Sequence, residues 1–328
     1  MKKSIFLSFI LCLCLVACIP QQAMAQKQSR MEKLLRYLND NDADKWQKNR
    51  EKLDDETKAY YAEDLSLMDV LNDLWNGQSE QAATLYFGCY EKAAQNNFPG
   101  ICEGEKIPLS QIRDKADQSI INLLEASKDK IPFSRALLDS IHATEYPVDS
   151  AMLQRLQNIR EVALLEGMLK APTPIIYQTY VKEYPNGKFI AQVNASENVR
   201  LYQLVKTAPT PANFKAFFED PEMQKYYQDR GPRPYLAEIR TLYDDFLFQR
   251  IDSLKKEGNA TAIRQIIDDY KNTPYLATSA RTHLNDLEYL SEKADFELLK
   301  PAIVNSESLG LLQEFLKTHK YKEFRDQA

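Results

Sequence analysis

Apolar residues recur with the period of an α-helix through most of the chain after residue 26. In the first half, amphipathic segments are separated by polar loops such as residues 39–42 and by residues 99–108, a segment that begins and ends with proline. In a later segment, Met152, Leu156 and Ile159 share one predicted helical face. The pattern predicts an all-α fold.

Two helix starts in the second half carry the same tetrapeptide. Ala-Pro-Thr-Pro occurs at residues 171–174 and again at residues 208–211. Threonine is a good N-cap, and a proline that follows it loses nothing by lacking an N–H, because the first helical N–H groups have no partner within the helix. We therefore expect helices to begin at Pro174 and Pro211.

The same apolar spacing follows four predicted helix starts, at Thr173, Thr210, Asn259 and Ser308. The residues four, seven and eleven positions after each start are Tyr177, Tyr180 and Tyr184; Phe214, Phe217 and Pro221; Ile263, Ile266 and Tyr270; and Leu312, Phe315 and His319. An aromatic residue follows the first residue of each set by twelve positions, namely Phe189, Tyr226, Tyr275 and Phe324. This pattern predicts an array of antiparallel helical hairpins. The alternative is an irregular helical domain whose helices align only by their apolar spacing.

The first twenty-five residues have the features of an export signal. Lys2 and Lys3 precede an apolar run at residues 5–19 that is short for a membrane span, and Ala23 and Ala25 offer small side chains before Gln26. We expect a signal peptide at 1–25, cleaved between Ala25 and Gln26. An N-terminal helical domain at 26–170 and a C-terminal helical-hairpin repeat domain at 171–328 follow.

A second interpretation of the signal places the processing site earlier. Residues 15–18, Leu-Val-Ala-Cys, resemble the lipobox of bacterial lipoproteins, in which the cysteine is acylated and becomes the new N-terminus. Under this alternative Cys18 would carry a lipid anchor, which would be the only attachment of the protein to a membrane.

Charge and cysteine content narrow the classes of partner and compartment. The net charge of −5 becomes −7 when Lys2 and Lys3 leave with the signal, and the absence of a basic tract argues against nucleic acid as a partner. Cleavage after Ala25 leaves Cys89 and Cys102 as the two thiols of the mature chain. In an oxidising compartment they predict a disulfide worth about 3 kcal/mol, with two buried free thiols as the alternative.

The junction after the first tetrapeptide has a known counterpart. Residues 180–191, Tyr-Val-Lys-Glu-Tyr-Pro-Asn-Gly-Lys-Phe-Ile-Ala, resemble the helix-turn-helix junction of tetratricopeptide-like repeats in Gram-negative envelope proteins, including outer-membrane assembly lipoproteins. Residues 270–277 are a weaker copy, and Tyr86, Tyr90 and Ala93 are similar to the second helix of such a repeat. The resemblance implies a right-handed helical solenoid whose concave face binds protein segments.

Candidate chemistry is sparse along the sequence. Asp40, Asp42, Asp44 and Glu51 fit a calcium-loop register, but Lys45 occupies the position that needs glycine, so we interpret the segment as a solvated turn with a capping aspartate. No nucleophile elbow or glycine-rich phosphate loop occurs, and the three histidines are isolated from one another. We therefore predict no catalytic, cofactor-binding or metal-ligating residues.

Two isolated features leave alternatives open. His142 and Glu145 are three residues apart and could share a helix face as metal ligands, but no second pair accompanies them. Acidic pairs such as Asp244 and Asp245, or Asp268 and Asp269, read as solvated helix faces, although carboxylates that converge in the fold would suit a hydrolase.

The function predicted from these patterns is a non-enzymatic scaffold in the periplasm or at the outer membrane. A groove lined by exposed aromatic residues would hold a peptide segment of an envelope protein. The alternatives are an envelope glycan-binding protein that uses aromatic faces, including those of Trp46 and Trp75, and a hydrolase. Because Tyr177, Tyr180, Tyr184 and Tyr275 recur at helix-packing spacing, we favour a core role for them over ligand contact.

Overall fold

The computed structural model of the chain is helical throughout the part that it describes. It describes residues 24–77, 79–96, 98, 101, 109–257, 262, 264–268, 281–303 and 309–327, and none of these residues lies in a strand. The predicted all-α class is therefore confirmed. Among these residues, none of the helices combines the length and apolarity needed to cross a bilayer.

The chain divides into two compact units, Met1–Gly167 (unit 1) and Met168–Ala328 (unit 2). The division falls within one long helix, Ser150–Lys170. The predicted domain boundary between residues 170 and 171 stays a prediction. Cys18, Cys102, Asn259, Tyr270, Tyr275 and Ser308, all of which carry predictions from the sequence, lie outside the described residues.

In unit 1, one helix packs against three others. Its helices are α1 (24–39), α2 (Ala43–Glu51), α3 (Asp55–Tyr60), α4 (Ala62–Asn72), α5 (Glu80–Gln95), α6 (Leu109–Ala126), α7 (Lys130–His142) and α8 (Ser150–Lys170), with a π-helical turn at Asp73–Gly77. Helix α5 packs against α4, α6 and α7. It does so because its apolar residues return to one face: Ala82, Ala83, Tyr86, Phe87, Tyr90 and Ala93 are all buried.

Tyr146 closes the aromatic part of this core from the loop after α7. Its ring centroid lies 5.5 Å from that of Tyr86, 4.9 Å from Phe87 and 5.1 Å from Tyr90, in edge-to-face arrangements. Such contacts add to the free energy gained by burying the rings. The residues that resemble a repeat helix, Tyr86, Tyr90 and Ala93, therefore belong to the core of unit 1.

Unit 2 is a succession of shorter and longer helices. They are α9 (Pro174–Glu183), α10 (Ile190–Thr207), α11 (Pro211–Phe218), α12 (Pro221–Tyr227), α13 (Leu236–Glu257), α14 (Arg281–Ile303), α15 (Leu309–Thr318) and α16 (Lys322–Gln327), with a helical segment at 264–268. Helix α10 packs against α9, α11, α12 and α13. The arrangement of these helices as a solenoid stays a proposal.

Both predicted tetrapeptide starts are confirmed. The Thr173 hydroxyl accepts a hydrogen bond from the Ile176 N–H at 3.3 Å, and α9 begins at Pro174. The Thr210 hydroxyl accepts from the Asn213 N–H at 3.3 Å, and α11 begins at Pro211. In each case a threonine satisfies one free N–H of the first turn.

The second copy of the pattern departs from the first at its end. Tyr184 follows the last residue of α9, whereas Pro221, at the same offset, begins the separate helix α12. The cause is local, because Asp220 accepts a hydrogen bond from the Met223 N–H at 2.8 Å and proline suits a first helical position. Two short helices therefore replace one longer helix.

Candidate functional site

A groove with a volume of about 510 Å³ lies among α9, α10, α11 and α12 in unit 2. Its apolar lining consists of Pro174, Tyr177, Leu201, Ala212, Ala216 and Pro221. Ala212 and Ala216 are exposed and lie one turn apart on α11, so their small side chains leave this wall open. The volume is within the range of pockets that hold small ligands or parts of larger ones.

A buried ion pair forms the α10 wall of the groove. Two nitrogens of the Arg200 guanidinium donate to the two carboxylate oxygens of Glu197, at 2.7 and 2.6 Å. The Glu197 side chain is 2% exposed and that of Arg200 is 20% exposed. The hydrogen bond to Glu197 raises the pKa of Arg200. The pair satisfies a carboxylate that would be costly to bury alone.

Acidic residues dominate the other side of the groove. Asp220 caps α12, and Glu222 is exposed in the first turn of that helix. Lys215 and Glu219 form an exposed ion pair on α11 and at its end, with 3.7 Å between the charged atoms. In total the groove is lined by four carboxylates and two cations, Arg200 and Lys215, which gives it a formal charge of −2.

Tyr177 connects the groove to the core of unit 2. Its hydroxyl donates a hydrogen bond to Asn194 Oδ1 at 2.9 Å, and the side chain is buried. Burial raises the pKa of Tyr177, and the neighbouring carboxylates of Asp220, Glu197 and Glu222 raise it further. The hydroxyl therefore stays protonated and lies in a negative electrostatic potential.

Arg233 fixes the helices behind the groove. Its guanidinium donates to Asn198 Oδ1 at 2.6 Å and to the carbonyl of Phe217, and it lies 3.9 Å from the centroid of the Phe217 ring. Asn198 in turn donates to the carbonyl of Pro234 at 3.2 Å. Burial lowers the pKa of Arg233. This group ties the loop before α13 to α10 and α11, which are two of the walls of the groove.

Most of the described aromatic residues that were singled out in the sequence lie in the core, but Tyr184, Phe189 and Tyr226 are half-buried. Tyr177, Tyr180, Phe214, Phe217, Phe315 and Phe324 are all buried, which confirms the packing interpretation for these positions. Trp46 is also buried, and the Lys115 ammonium covers the ring of Trp75 at 3.9 Å. Among the described aromatic residues, Tyr60 and Tyr235 have markedly exposed side chains. The aromatic residue that lines the groove described above, Tyr177, is buried, and the expectation of a surface lined by exposed aromatics stays a prediction.

The calcium-like register is a helix start. Asp42 Oδ1 accepts a hydrogen bond from the Lys45 N–H at 3.1 Å, and Asp42 Oδ2 pairs with the Lys45 ammonium at 2.6 Å. The interpretation as a capping aspartate is confirmed. Helix α7 ends at His142, so Glu145 does not share a helical face with it. Within the described ranges, no group of three histidine, cysteine or acidic side chains has the geometry to hold a metal ion.

Three aspartates converge beside the core of unit 1. Asp114, Asp117 and Asp149 line a cavity of about 260 Å³. Burial raises the pKa of Asp117 to about 6, and the Tyr146 hydroxyl donates to its Oδ1 at 2.5 Å. The Tyr146 oxygen is also 3.4 Å from that of Tyr86. Because Asp117 is 8% exposed and already holds Tyr146, we interpret it as the end of a buried hydrogen-bond chain.

A histidine near the C-terminus is placed between two acceptors. His319 Nε2 is 2.9 Å from Asp295 Oδ2, and Nδ1 is 3.1 Å from the carbonyl of Phe315 and 2.8 Å from Thr318 Oγ1. Thr318 Oγ1 also donates to the Glu314 carbonyl at 2.8 Å. The hydroxyl proton is thus engaged by the helix and the ring faces acceptors on both sides. We interpret these hydrogen bonds as structural contacts that hold the end of α15 against α14. They do not activate the Thr318 hydroxyl as a nucleophile.

One half of the predicted disulfide, Cys102, lies outside the described residues. Cys89 is half-buried on α5, and its Sγ is 3.6 Å from Ser66 Oγ. The pairing of Cys89 with Cys102 stays a prediction.

The sequence analysis singled out Pro174, Tyr177 and Pro221 of the groove lining but missed the buried polar residues of α10 in and behind the groove. Asn194, Glu197 and Asn198 lie on the same face of α10 as the apolar residues Val193 and Leu201, and all five are buried. Polar residues at core positions of an amphipathic helix need hydrogen-bond partners, so this pattern in the sequence indicates a buried polar site. Asn194 is bonded by Tyr177 of α9 and Asn198 by Arg233 of the loop before α13, whereas Glu197 pairs with Arg200 of α10 itself.

Comparison with known proteins found no matching family model, no matching curated protein and no matching solved structure.

Proposed function

We propose that the mature chain is a non-enzymatic helical-repeat scaffold that binds a segment of an envelope protein, in the periplasm or at the outer membrane. The observation that carries this proposal is the groove among α9, α10, α11 and α12, which combines an open apolar wall with a charged rim. Grooves between helices that present apolar pockets and a few fixed polar groups suit the binding of peptide segments.

The support beneath the groove favours a preformed binding surface. Tyr177 is bonded to Asn194, Glu197 to Arg200 and Arg233 to Asn198, so the walls are fixed by buried hydrogen bonds. A fixed surface loses little conformational entropy when a partner binds. In this proposal the aromatic residues support the groove from within the core, and the small residues Ala212 and Ala216 make the contact surface.

Site-specific cross-linking in intact cells tests the proposal. A photo-reactive benzophenone amino acid in place of Ala216 would lie in the groove, and the same group in place of Ala195, which is exposed on α10 outside the groove lining, is the matched control. We expect one protein adduct at position 216 and none at 195, with the cross-linked peptide identified by mass spectrometry. The purified partner should then bind the native chain and not the Ala212→Trp variant.

Equal adducts at both positions, or none at either, would count against a binding groove. The export part of the proposal is checked separately by the intact mass of the native protein. A mature chain that begins at Gln26, or at an acylated Cys18, supports export, whereas a chain that retains Met1 contradicts it.

A further inference from the structure

We propose that the groove recognises its partner through one lysine or arginine side chain flanked by aliphatic residues. This inference rests on the proposed function of the groove and adds the chemistry of the segment that it binds.

The rim of the groove carries excess negative charge, which favours the binding of a cation. Glu197 is neutralised by Arg200, and Glu219 lies opposite Lys215. Asp220 and Glu222 have no ion-pair partner among the described residues, although the Arg233 and Arg200 guanidiniums attract Asp220 from a longer distance. Glu222 is therefore the least compensated acid of the rim. The start of α12 offers partial positive charge to both, but a helix start compensates only a fraction of two carboxylates.

The floor of the groove has the same sign of potential. The Tyr177 hydroxyl senses Asp220, Glu197 and Glu222 as neighbouring negative charges, and all three raise its pKa in addition to the effect of burial. Arg233 opposes them only in part. An anionic or purely neutral segment would leave this potential uncompensated, whereas a cation would be attracted to it.

A long basic side chain matches both parts of the lining. Its methylene stem can pack on Leu201, Ala212 and Ala216 while its charged end reaches the rim acids, as lysine and arginine do at other apolar surfaces. Aliphatic neighbours in the segment would cover the rest of the open wall. A short cation such as a metal ion would not use the apolar wall.

Selection from a display library of short random peptides, on the full mature chain, tests the inference. We expect the enriched peptides to carry a lysine or arginine between aliphatic residues. The affinity of one such synthetic peptide should fall about fivefold in Glu222→Gln and about tenfold or more in Glu222→Lys, and should weaken as salt rises. Glu80→Lys is the matched control, because Glu80 is exposed in the first turn of α5 and should leave the affinity unchanged.

The outcomes separate the inference from the function on which it rests. Enriched peptides that are neutral or acidic, yet lose binding in Ala216→Trp, would leave the groove as a binding site and overturn the choice of a basic side chain. Basic peptides that bind Glu222→Lys as well as the native chain would overturn it too. Peptides that bind Ala216→Trp undiminished would instead contradict the proposed function.

Discussion

Unit 1 buries the carboxyl group of Asp64 without a hydrogen-bond partner for its Oδ1, whereas unit 2 buries the carboxylate of Glu197 against two donors of Arg200. Asp117 in unit 1 is intermediate, since one hydroxyl, that of Tyr146, donates to it. Burial raises the pKa of Asp64 to about 7 and that of Asp117 to about 6. Burial therefore raises the pKa of both acids of unit 1, and at Asp117 the hydrogen bond from Tyr146 opposes that rise.

The largest loss of stability is expected when Glu197 loses its hydrogen-bond donors and becomes an unpartnered buried acid like Asp64. Arg200→Met removes both donors and leaves a carboxylate with a side chain that is 2% exposed, so the free energy of unfolding should fall by about 3 kcal/mol at neutral pH. Glu197→Gln should cost less, because Arg200 is 20% exposed and can turn to solvent. Urea unfolding of both variants and of the double variant Glu197→Met with Arg200→Met measures the difference.

If the pair acts as a unit, the double variant should recover much of the loss caused by Arg200→Met alone. Equal losses of unfolding free energy in Arg200→Met and Glu197→Gln would show that solvent access to Arg200 has no effect. Such a result would contradict the contrast drawn between the partnered acid Glu197 and the unpartnered acid Asp64.

The next effect concerns the pH dependence of unit 1. Asp64 has an ordinary pKa of 3.8 when exposed and a pKa of about 7 when folded, so the folded state holds a proton that the unfolded state releases. Its contribution to stability is therefore complete below about pH 4 and is lost as pH rises to about 7. Asp64→Asn should remove this loss and raise the free energy of unfolding by a few kcal/mol near pH 8, with little change near pH 4.

Thermal unfolding of the native chain and Asp64→Asn across this range checks the sign. Asp69→Asn is the matched control on the same helix, because Asp69 is partly exposed and pairs with Arg50 at 3.2 Å. A stability gain in Asp64→Asn that is the same at pH 4 and pH 8 would mean that the charge is not its source.

Asp117 offers a smaller test of the same series. The hydrogen bond from Tyr146 favours the ionised carboxylate and so lowers a pKa that burial raises. Tyr146→Phe should therefore raise the pKa of Asp117 above its value of about 6, at a cost in stability of about 1 kcal/mol. Carboxyl NMR titration measures the shift, and an unchanged pKa would show that the hydroxyl does not act on the carboxylate.

The comparison also explains which parts of the molecule were predictable from sequence. Helix starts were, because Thr173 and Pro174 act within a single turn and need no distant partner. The buried aromatic positions Tyr177 and Phe214 were predictable for the same reason, since apolar periodicity reports which face of a helix is covered.

The groove and the buried acid Asp117 were not predictable, because each depends on residues far apart in the sequence. Arg233 reaches Asn198 across 35 residues and Tyr146 reaches Asp117 across 29. Asp220 and Pro221 carry a local start signal of the same kind as Thr173 and Pro174, but the repeat pattern assigned Pro221 to the end of the preceding helix. Local chemistry fixes helix starts such as those at Pro174 and Pro211, but helix packing decides which polar groups meet.

The smallest change in stability is expected at helix starts, where a capping side chain either accepts a hydrogen bond or does not. Thr173 and Thr210 each accept a hydrogen bond from the first turn, whereas Asp129 at the start of α7 makes no side-chain cap bond. Thr173→Ala and Thr210→Ala should each lower the free energy of unfolding by about 1 kcal/mol, because an N–H of the first turn loses its acceptor. Asp129→Ala should cost about 0.4 kcal/mol, since only its charge near the helix start is lost. Urea unfolding of the three variants, measured together, resolves these values. A loss in Asp129→Ala as large as that in the threonine variants would show that charge, and not the cap hydrogen bond, stabilises these helix starts.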